Sequence, residues 1–419
     1  MSGLASGGSV LVVGGGVIGL SCAFTLRQRG YEVTVADSGE LGAAASFGNG
    51  GWICPSLSGP VPGPGVLANS LRWMLRPDSP LLIRPGLSPS LWSWLLAFAR
   101  RCNQADFLAG LRAVAGLAAS SSRLFAALQA AGVDFEFHQQ GLLFLFRSLK
   151  AAREEMGALL LMEEFGCPPA TWMEAEQLAG FEPLAAAVPM VGILAPDDKH
   201  VRPETLTAGL IAWLAAAGVR LLPEMAVDHL RLANRHVISA VTRGGDELEA
   251  DAFVLAAGVG TRYLGGAIGV SIPLIGGKGY SLTYESCAPL LRHPVYLSEA
   301  KVAISPYDEG VRVLGTMELG SRTEAVSQSR LDAMVRACER YLPGLNFVGE
   351  PRPWAGMRPM VPDGLPVIGG TSAAANVVVA TGHAMLGITL APATGEMVAD
   401  ILEERQLEAF ASAFSPSRF

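Results

Sequence analysis

Val10-Leu11-Val12-Val13 runs straight into Gly14-Gly15-Gly16-Val17-Ile18-Gly19, and Asp37 closes the next apolar run. A Gly-x-Gly-x-x-Gly turn between a strand pattern and a helix pattern is built to hold the pyrophosphate of a dinucleotide. Gly14 permits the tight turn, Gly16 lets backbone amides approach the phosphates, and Gly19 lets helix and strand pack closely. The helix N-terminus adds oriented N–H groups and partial positive charge. Asp37, with Ser38 beside it, ends the strand Glu32–Ala36, where a carboxylate can accept from ribose hydroxyls. Two further groups could do chemistry. Arg358 lies in Gly356-Met-Arg-Pro-Met, a fixed and irregular backbone. Its guanidinium could grip a carboxylate through two parallel hydrogen bonds, or pair with Asp363. His383 opens a turn before a helical pattern and could act as acid or base, or simply order that turn.

The elements that must position these residues follow from periodicity. Strand, helix and strand cover Val10 to Asp37. The small-residue stretch Leu41–Gly51 is a loop. Ser58 to Pro89 is Pro-rich and reads as irregular. Helices are expected over Leu91–Ala99, Phe107–Ala131, Ala151–Phe165, Pro203–Ala217, Arg330–Leu342 and Thr389–Arg405. Phe135–Phe146 reads as two strands turning near Gly141. Ala252–Ala257 reads as a buried strand ending at Gly258, and Asn376–Thr381 as another entering Gly382. Ile272–Glu285, Val302–Pro306 and Val311–Leu314 read as antiparallel strands. The order predicts an α/β (α+β) chain: a discontinuous Rossmann-like nucleotide domain with an inserted antiparallel-sheet domain. The expected boundaries are 1–60, 196–267 and 353–419 for the first, and 61–195 and 268–352 for the second, with a helical segment at 64–131.

The chain has 419 residues, 50% of them hydrophobic and 16% charged, enough for two cores. The formal net charge of −7 argues against a nucleic-acid partner. Six scattered cysteines with no metal-ligand spacing predict reduced thiols in a cytoplasmic protein and no metal site. Met1–Ser9 lacks the basic region of a secretory signal, and no apolar stretch reaches the roughly 20 residues that span a bilayer. Leu91–Ala99 followed by Arg100-Arg101 could lie at a membrane interface instead, or serve as a core helix.

The fingerprint, the Ser46-Phe-Gly-Asn-Gly-Gly51 loop, Trp354-x-Gly-x-Arg-Pro-x-x-Pro-Asp-Gly-x-Pro-x-Ile-Gly369 and Thr381-Gly-His-x-x-Leu-Gly-Ile-Thr-Leu-Ala391 together resemble the FAD-dependent amino-acid oxidoreductases. Within that group the chain resembles the D-amino acid dehydrogenases, and it is similar also to glycine oxidases and hydroxyproline dehydrogenases. The similarity runs through nearly the whole chain, including Gly277-Lys-Gly-Tyr-Ser-Leu282. It implies FAD held by Gly14, Gly16, Val17, Ile18, Gly19, Asp37 and Ser38. It adds Ser46, Asn49, Gly50 and Gly51 along the flavin, Val227 at the adenine, and Gly258. It places Gly382, Leu386, Gly387, Ile388 and Thr389 at the flavin pyrimidine. It implies that Arg358 binds the substrate α-carboxylate. Tyr280, Lys301 and Tyr307 are candidate pocket groups, Tyr280 and His383 being candidates near the chemistry. Trp354–Gly369 holds no Cys, so the flavin is expected to be noncovalent.

The implied reaction is oxidative deamination of D-amino acids, with hydride passing from Cα to flavin and electrons leaving to a quinone or another non-oxygen acceptor. A hydroxy-D-proline dehydrogenase or an oxygen-using glycine or sarcosine oxidase is the neighbouring alternative. A flavin-bound sensor without turnover and a nicotinamide dehydrogenase are the rivals from other classes. The expected location is cytoplasmic, with a peripheral place at the membrane open and oligomeric state unassigned.

Overall fold

The computed structural model describes residues 7–74, 78–84, 88–188 and 190–419. A six-stranded sheet runs Arg220–Leu222, Glu32–Ala36, Ser9–Val13, Ala252–Leu255, Val377–Thr381, Val367–Gly370 in spatial order. All its pairs are parallel except the last, where Val367–Gly370 turns back on Val377–Thr381. The N-terminal, middle and C-terminal strands expected to share one sheet do so. Their continuous Val/Leu/Ala runs fit strands buried on both faces. The helices Val17–Gln28 and Gly387–Leu402 cross against each other on one face. Gly395 allows the approach: a Cβ there would lie 2.6 Å from the Ser21 carbonyl oxygen. That contact sets the C-terminal helix beside the fingerprint helix.

The second large sheet has nine strands. Its site-forming half runs Arg352–Met360, Ile275–Tyr284, Gly310–Leu319, Val302–Tyr307, Val295–Leu297, all antiparallel. The strand carrying Arg358 is thus the edge of the antiparallel sheet, although the boundary at residue 353 gave it to the nucleotide domain. We propose that the boundary falls after Met360. A bulge interrupts the pairing of Ile275–Tyr284 with Gly310–Leu319, where Lys278 faces Glu318 but Tyr280 faces Gly315. Thr316, inside the bulge, has φ +60°. Bulges re-aim the groups they carry.

Two expectations about local structure fail. Ser58–Pro89 is not simply irregular: it holds the helix Val66–Met74 and the strand Leu81–Ile83, which pairs with Met317–Leu319. Apolar spacing in the first and a sheet edge waiting for the second outweigh the prolines. Parts of that stretch, 75–77 and 85–87, lie outside the described residues, as do 1–6 of the N-terminal segment. Phe135–Phe146 is not a hairpin either. Phe137–His138 pairs with Lys199–Val201, whereas Leu142–Phe146 enters the large sheet against Val295–Leu297 and Val191–Ala195. The expected helices appear within a few residues of their limits, Gln104–Ala130 starting from an Asn103 cap whose side chain accepts from the Asp106 N–H at 3.0 Å.

Candidate active site

A cavity of about 1360 Å³ lies between the two sheets. Gly14, Gly16, Val17 and Ile18 line one end of it. Gly14 has φ +115°, and a Cβ there would press within 2.5 Å of the Ala256 carbonyl carbon. Gly19 lies behind the turn, where a Cβ would collide with the Gly14 carbonyl oxygen. Its role is close packing. Asp37 and Ser38 line the same end. The Asp37 carboxylate is fixed by the Gly15 N–H at 2.6 Å and the Gly39 N–H at 2.9 Å. Val227 and Gly258 line the cavity beside them. Gly258, at φ +54°, has its carbonyl held by the Thr381 hydroxyl at 2.9 Å.

The loop after Leu41 forms a wall. Ser46, Asn49 and Gly50 line the cavity, and Ser46 Oγ accepts from the Val17 N–H at 3.0 Å. Gly51 does not line it; its φ of +73° passes the chain under Val201, whose carbonyl a Cβ would strike. The loop is held from below by Arg312, a residue that motif reading does not single out. The buried Arg312 guanidinium donates to the Phe47 and Asn49 carbonyls at 2.9 and 2.8 Å, and to Thr283 Oγ1 at 2.9 Å. It pairs with Glu204. Tyr307 belongs to this support and not to the pocket: it lies under the Arg312 guanidinium, its hydroxyl donates to the Gly50 carbonyl at 3.2 Å, and it is not among the residues lining the cavity.

At the other wall, Leu386, Gly387 and Ile388 line the cavity where the helix Gly387–Leu402 begins, so its free N–H groups face inward. Gly382 (φ +77°) and Thr389 lie behind this turn. Thr389 ties it to the loop by donating to the Trp52 carbonyl at 2.9 Å. His383 lines the cavity but is 3% exposed. Burial drives its pKa down to about 3, so the ring is neutral. The Thr394 hydroxyl donates to the Leu390 carbonyl, so it accepts from His383 Nε2–H at 2.9 Å. That assigns the tautomer and leaves Nδ1 as a buried acceptor with no protein partner among the described residues. The glycine-lined turn, the inward helix N-terminus and this orphaned nitrogen fit a bound dinucleotide flavin.

Arg358 lines the cavity, half-buried by surface but enclosed on its charged end. One Nη donates to the Thr316 carbonyl at 3.0 Å, the carbonyl that the bulge turns toward it. The guanidinium lies over Gly279, where any Cβ would collide with it. It makes no ion pair among the described residues; Asp363 pairs instead with Arg418 at 2.7 Å. Burial alone pushes the Arg358 pKa down to about 10, which still leaves it charged at neutral pH. Tyr280 is displaced from the expected site. It alternates to the opposite face of its strand, donates to Glu318 at 2.5 Å and does not line the cavity. Lys301 does line it.

The family model described as FAD dependent oxidoreductase matches residues 9–401. The chain belongs to this family. The FAD-dependent oxidoreductase is 32% identical over 419 residues to a D-amino acid dehydrogenase of Bradyrhizobium diazoefficiens, with 98% of each chain covered. It is 32% identical over 422 residues to one of Rhodopseudomonas palustris, covering 98% of this chain and 97% of that one. Among solved structures it is similar to glycine oxidase from Geobacillus kaustophilus, at TM-score 0.76, 24% identity and 98% and 99% coverage. It is also similar to L-proline dehydrogenase from P. horikoshii, at TM-score 0.78, 19% identity and 99% and 98% coverage. These two share its fold.

Proposed function

We propose that this oxidoreductase deaminates D-amino acids oxidatively. The observation that carries the reading is Arg358: a guanidinium on the cavity wall, anchored at one side by Thr316 and making no ion pair with a carboxylate among the described residues. A cation buried without an anion is costly, and a ligand that brings one removes that cost. The α-carboxylate of an amino acid matches its charge and planar fork. The names of the relatives at 32% identity support the amino-acid class and the D configuration.

When bound, FAD supplies the hydride acceptor. Gly14 to Ile18, Asp37, Ser38, the Ser46–Gly50 wall, Val227, Gly258 and the Leu386–Ile388 turn would hold it. The chain's own work is positioning. Arg358 fixes the carboxylate, and Trp94, Met357 and Met360 on the same walls keep water from the reacting carbon. With the amine neutral, the nitrogen lone pair drives hydride departure from Cα, and the imino acid hydrolyses to a keto acid and ammonia. His383, neutral and anchored to Thr394, orders the turn. The flavin is held noncovalently: Cys54 lines the cavity, but burial raises its pKa and keeps the thiol protonated.

We assign the electrons to a quinone or other non-oxygen acceptor reached at a membrane surface. The helices Val66–Met74 and Pro89–Arg101 line the cavity mouth and expose Leu71, Trp92 and Leu96 to 67%, 55% and 55%. Residues 66–101 carry Arg72, Arg76, Arg84, Arg100 and Arg101 against Asp78 alone, in a chain of net charge −7. Exposed apolar faces with basic flanks suit anionic lipid. Among the described residues no helix is long and apolar enough to cross a membrane. Anaerobic mixing with D- and L-amino acids, glycine, sarcosine and prolines tests the substrate class. Flavin reduction by D-amino acids is expected; reduction by none of them, or by glycine and sarcosine alone, overturns it.

A further inference from the structure

Arg358 is not the only cation on the cavity wall. Lys301 closes the tight turn between the antiparallel strands Val295–Leu297 and Val302–Tyr307, at φ +55°. A left-handed lysine is an uncommon backbone choice. It stands directly beside the second such residue, Thr316: Val302 pairs with Gly315, and a Cβ on Gly315 would lie 3.2 Å from the Lys301 carbonyl oxygen. One left-handed residue turns its carbonyl to hold Arg358. The other lines the cavity itself.

The ammonium has no ion pair among the described residues and sits 5.4 Å from the centre of the Tyr296 ring, which lines the same wall. The turn's other charge is committed elsewhere. Glu299 accepts from the Arg147 and Ser148 N–H groups at 3.0 and 2.9 Å and from the Tyr341 hydroxyl, at the N-terminus of the helix Leu149–Met162. Those bonds pin the turn from outside, while Lys301 interacts with the Tyr296 hydroxyl. Glu155 makes no ion pair with Lys301 but feels its charge: burial raises the Glu155 pKa, and the Lys301 charge lowers it. Lys301 itself stays protonated, its pKa raised chiefly by the Tyr296 phenol, against the opposing effect of burial.

The spacing of the two cations defines a ligand. Their strands are separated by Ile275–Tyr284 and Gly310–Leu319. At about 4.8 Å per strand the backbones are roughly 14 Å apart, and Arg358 crosses Ile275–Tyr284 over Gly279 to the Thr316 carbonyl, which leaves about one strand spacing between its guanidinium and the strand Val302–Tyr307. The remaining span suits a short diacid, one carboxylate at each end. We propose that Lys301 is a second anion-binding group of the cavity and selects amino acids whose side chains end in a carboxylate. The inference rests on Arg358 taking the α-carboxylate.

The test compares kcat/KM for D-glutamate and D-glutamine, equal in size and different in charge. The wild type should favour D-glutamate. Lys301→Gln should lower the glutamate-to-glutamine ratio about 10- to 100-fold, the usual worth of a charged hydrogen bond, and Lys301→Arg should restore most of it. Flavin absorbance and midpoint potential of each variant are read alongside. A wild type that does not favour D-glutamate overturns the proposal. So does an unchanged ratio in Lys301→Gln, or an equal loss on both substrates with a shifted flavin potential, which would put Lys301 at the flavin instead. If D-glutamine and other neutral D-amino acids reduce the flavin in any of these cases, the broader reading stands and only the role of Lys301 falls. If no amino acid reduces it, both fall.

Discussion

Gly279 leaves open the space that the Arg358 guanidinium fills, and the two residues sit on neighbouring antiparallel strands two residues out of register. The arginine crosses the strand Ile275–Tyr284 to reach the Thr316 carbonyl beyond it, and only a residue without a side chain lets it pass. Gly279→Ala should therefore displace the guanidinium without touching the ligand. Losing a charge-assisted contact of about 1.5–3 kcal/mol raises KM roughly 10- to 100-fold. Steady-state kinetics with flavin content as control checks this; an unchanged KM would mean that Arg358 does not grip the substrate.

A similar clash makes the fingerprint testable. Gly19→Ala puts a methyl group into the Gly14 carbonyl and forces apart the strand and helix that shape the phosphate turn. The expected result is loss of bound flavin, read from the visible spectrum of the purified protein, with a lowered Tm. Full flavin occupancy in that variant would contradict the placement of the turn.

Asp198 gives a pH signature. It is 3% exposed, receives the Ser56 hydroxyl and N–H, and burial pushes its pKa up from 3.8 to about 7. The folded state thus holds a proton that the unfolded chain releases, so the contribution is full below about pH 4 and is lost as pH rises through about 7. Asp198→Asn removes the titration. Its Tm should exceed that of the wild type at pH 8 and approach it at pH 5; parallel Tm curves across that range would show that the carboxyl is ordinarily ionised.

Vesicle flotation examines the apolar helices at the cavity mouth. The protein should float with vesicles rich in anionic lipid, less at high salt, and Leu71→Asp/Trp92→Asp should stay in the soluble fraction with normal flavin content. Wild type that remains soluble at low salt with anionic vesicles contradicts the membrane assignment.

The parts of this molecule that were legible in sequence are those whose geometry is local. The fingerprint, the Ser46–Gly50 wall and the Leu386–Ile388 helix start each depend on a few consecutive residues. The parallel sheet followed because its strands are continuous apolar runs. What escaped depends on registers between distant strands. Whether Tyr280 faces the cavity turns on the register of its strand against Arg352–Met360, which puts Gly277 and Gly279 on the Arg358 face, and one residue of slip reverses a side chain's face. Gly279 and Arg312 matter through what lies across from them, Arg358 in one case and the Phe47 and Asn49 carbonyls in the other. The strand Leu81–Ile83 forms because the sheet edge at Met317–Leu319 receives it.

The account's central claim is that Arg358 holds the acid end of an amino acid beside the flavin. Anaerobic titration with D-amino acids, following the visible flavin band, tests it most directly. Bleaching at modest concentration in the wild type is expected, with Arg358→Ala needing concentrations higher by two to three orders of magnitude while retaining its flavin, roughly 3–4 kcal/mol of lost binding. Equal titration curves for the two proteins, or a wild-type flavin that stays oxidised, would contradict it.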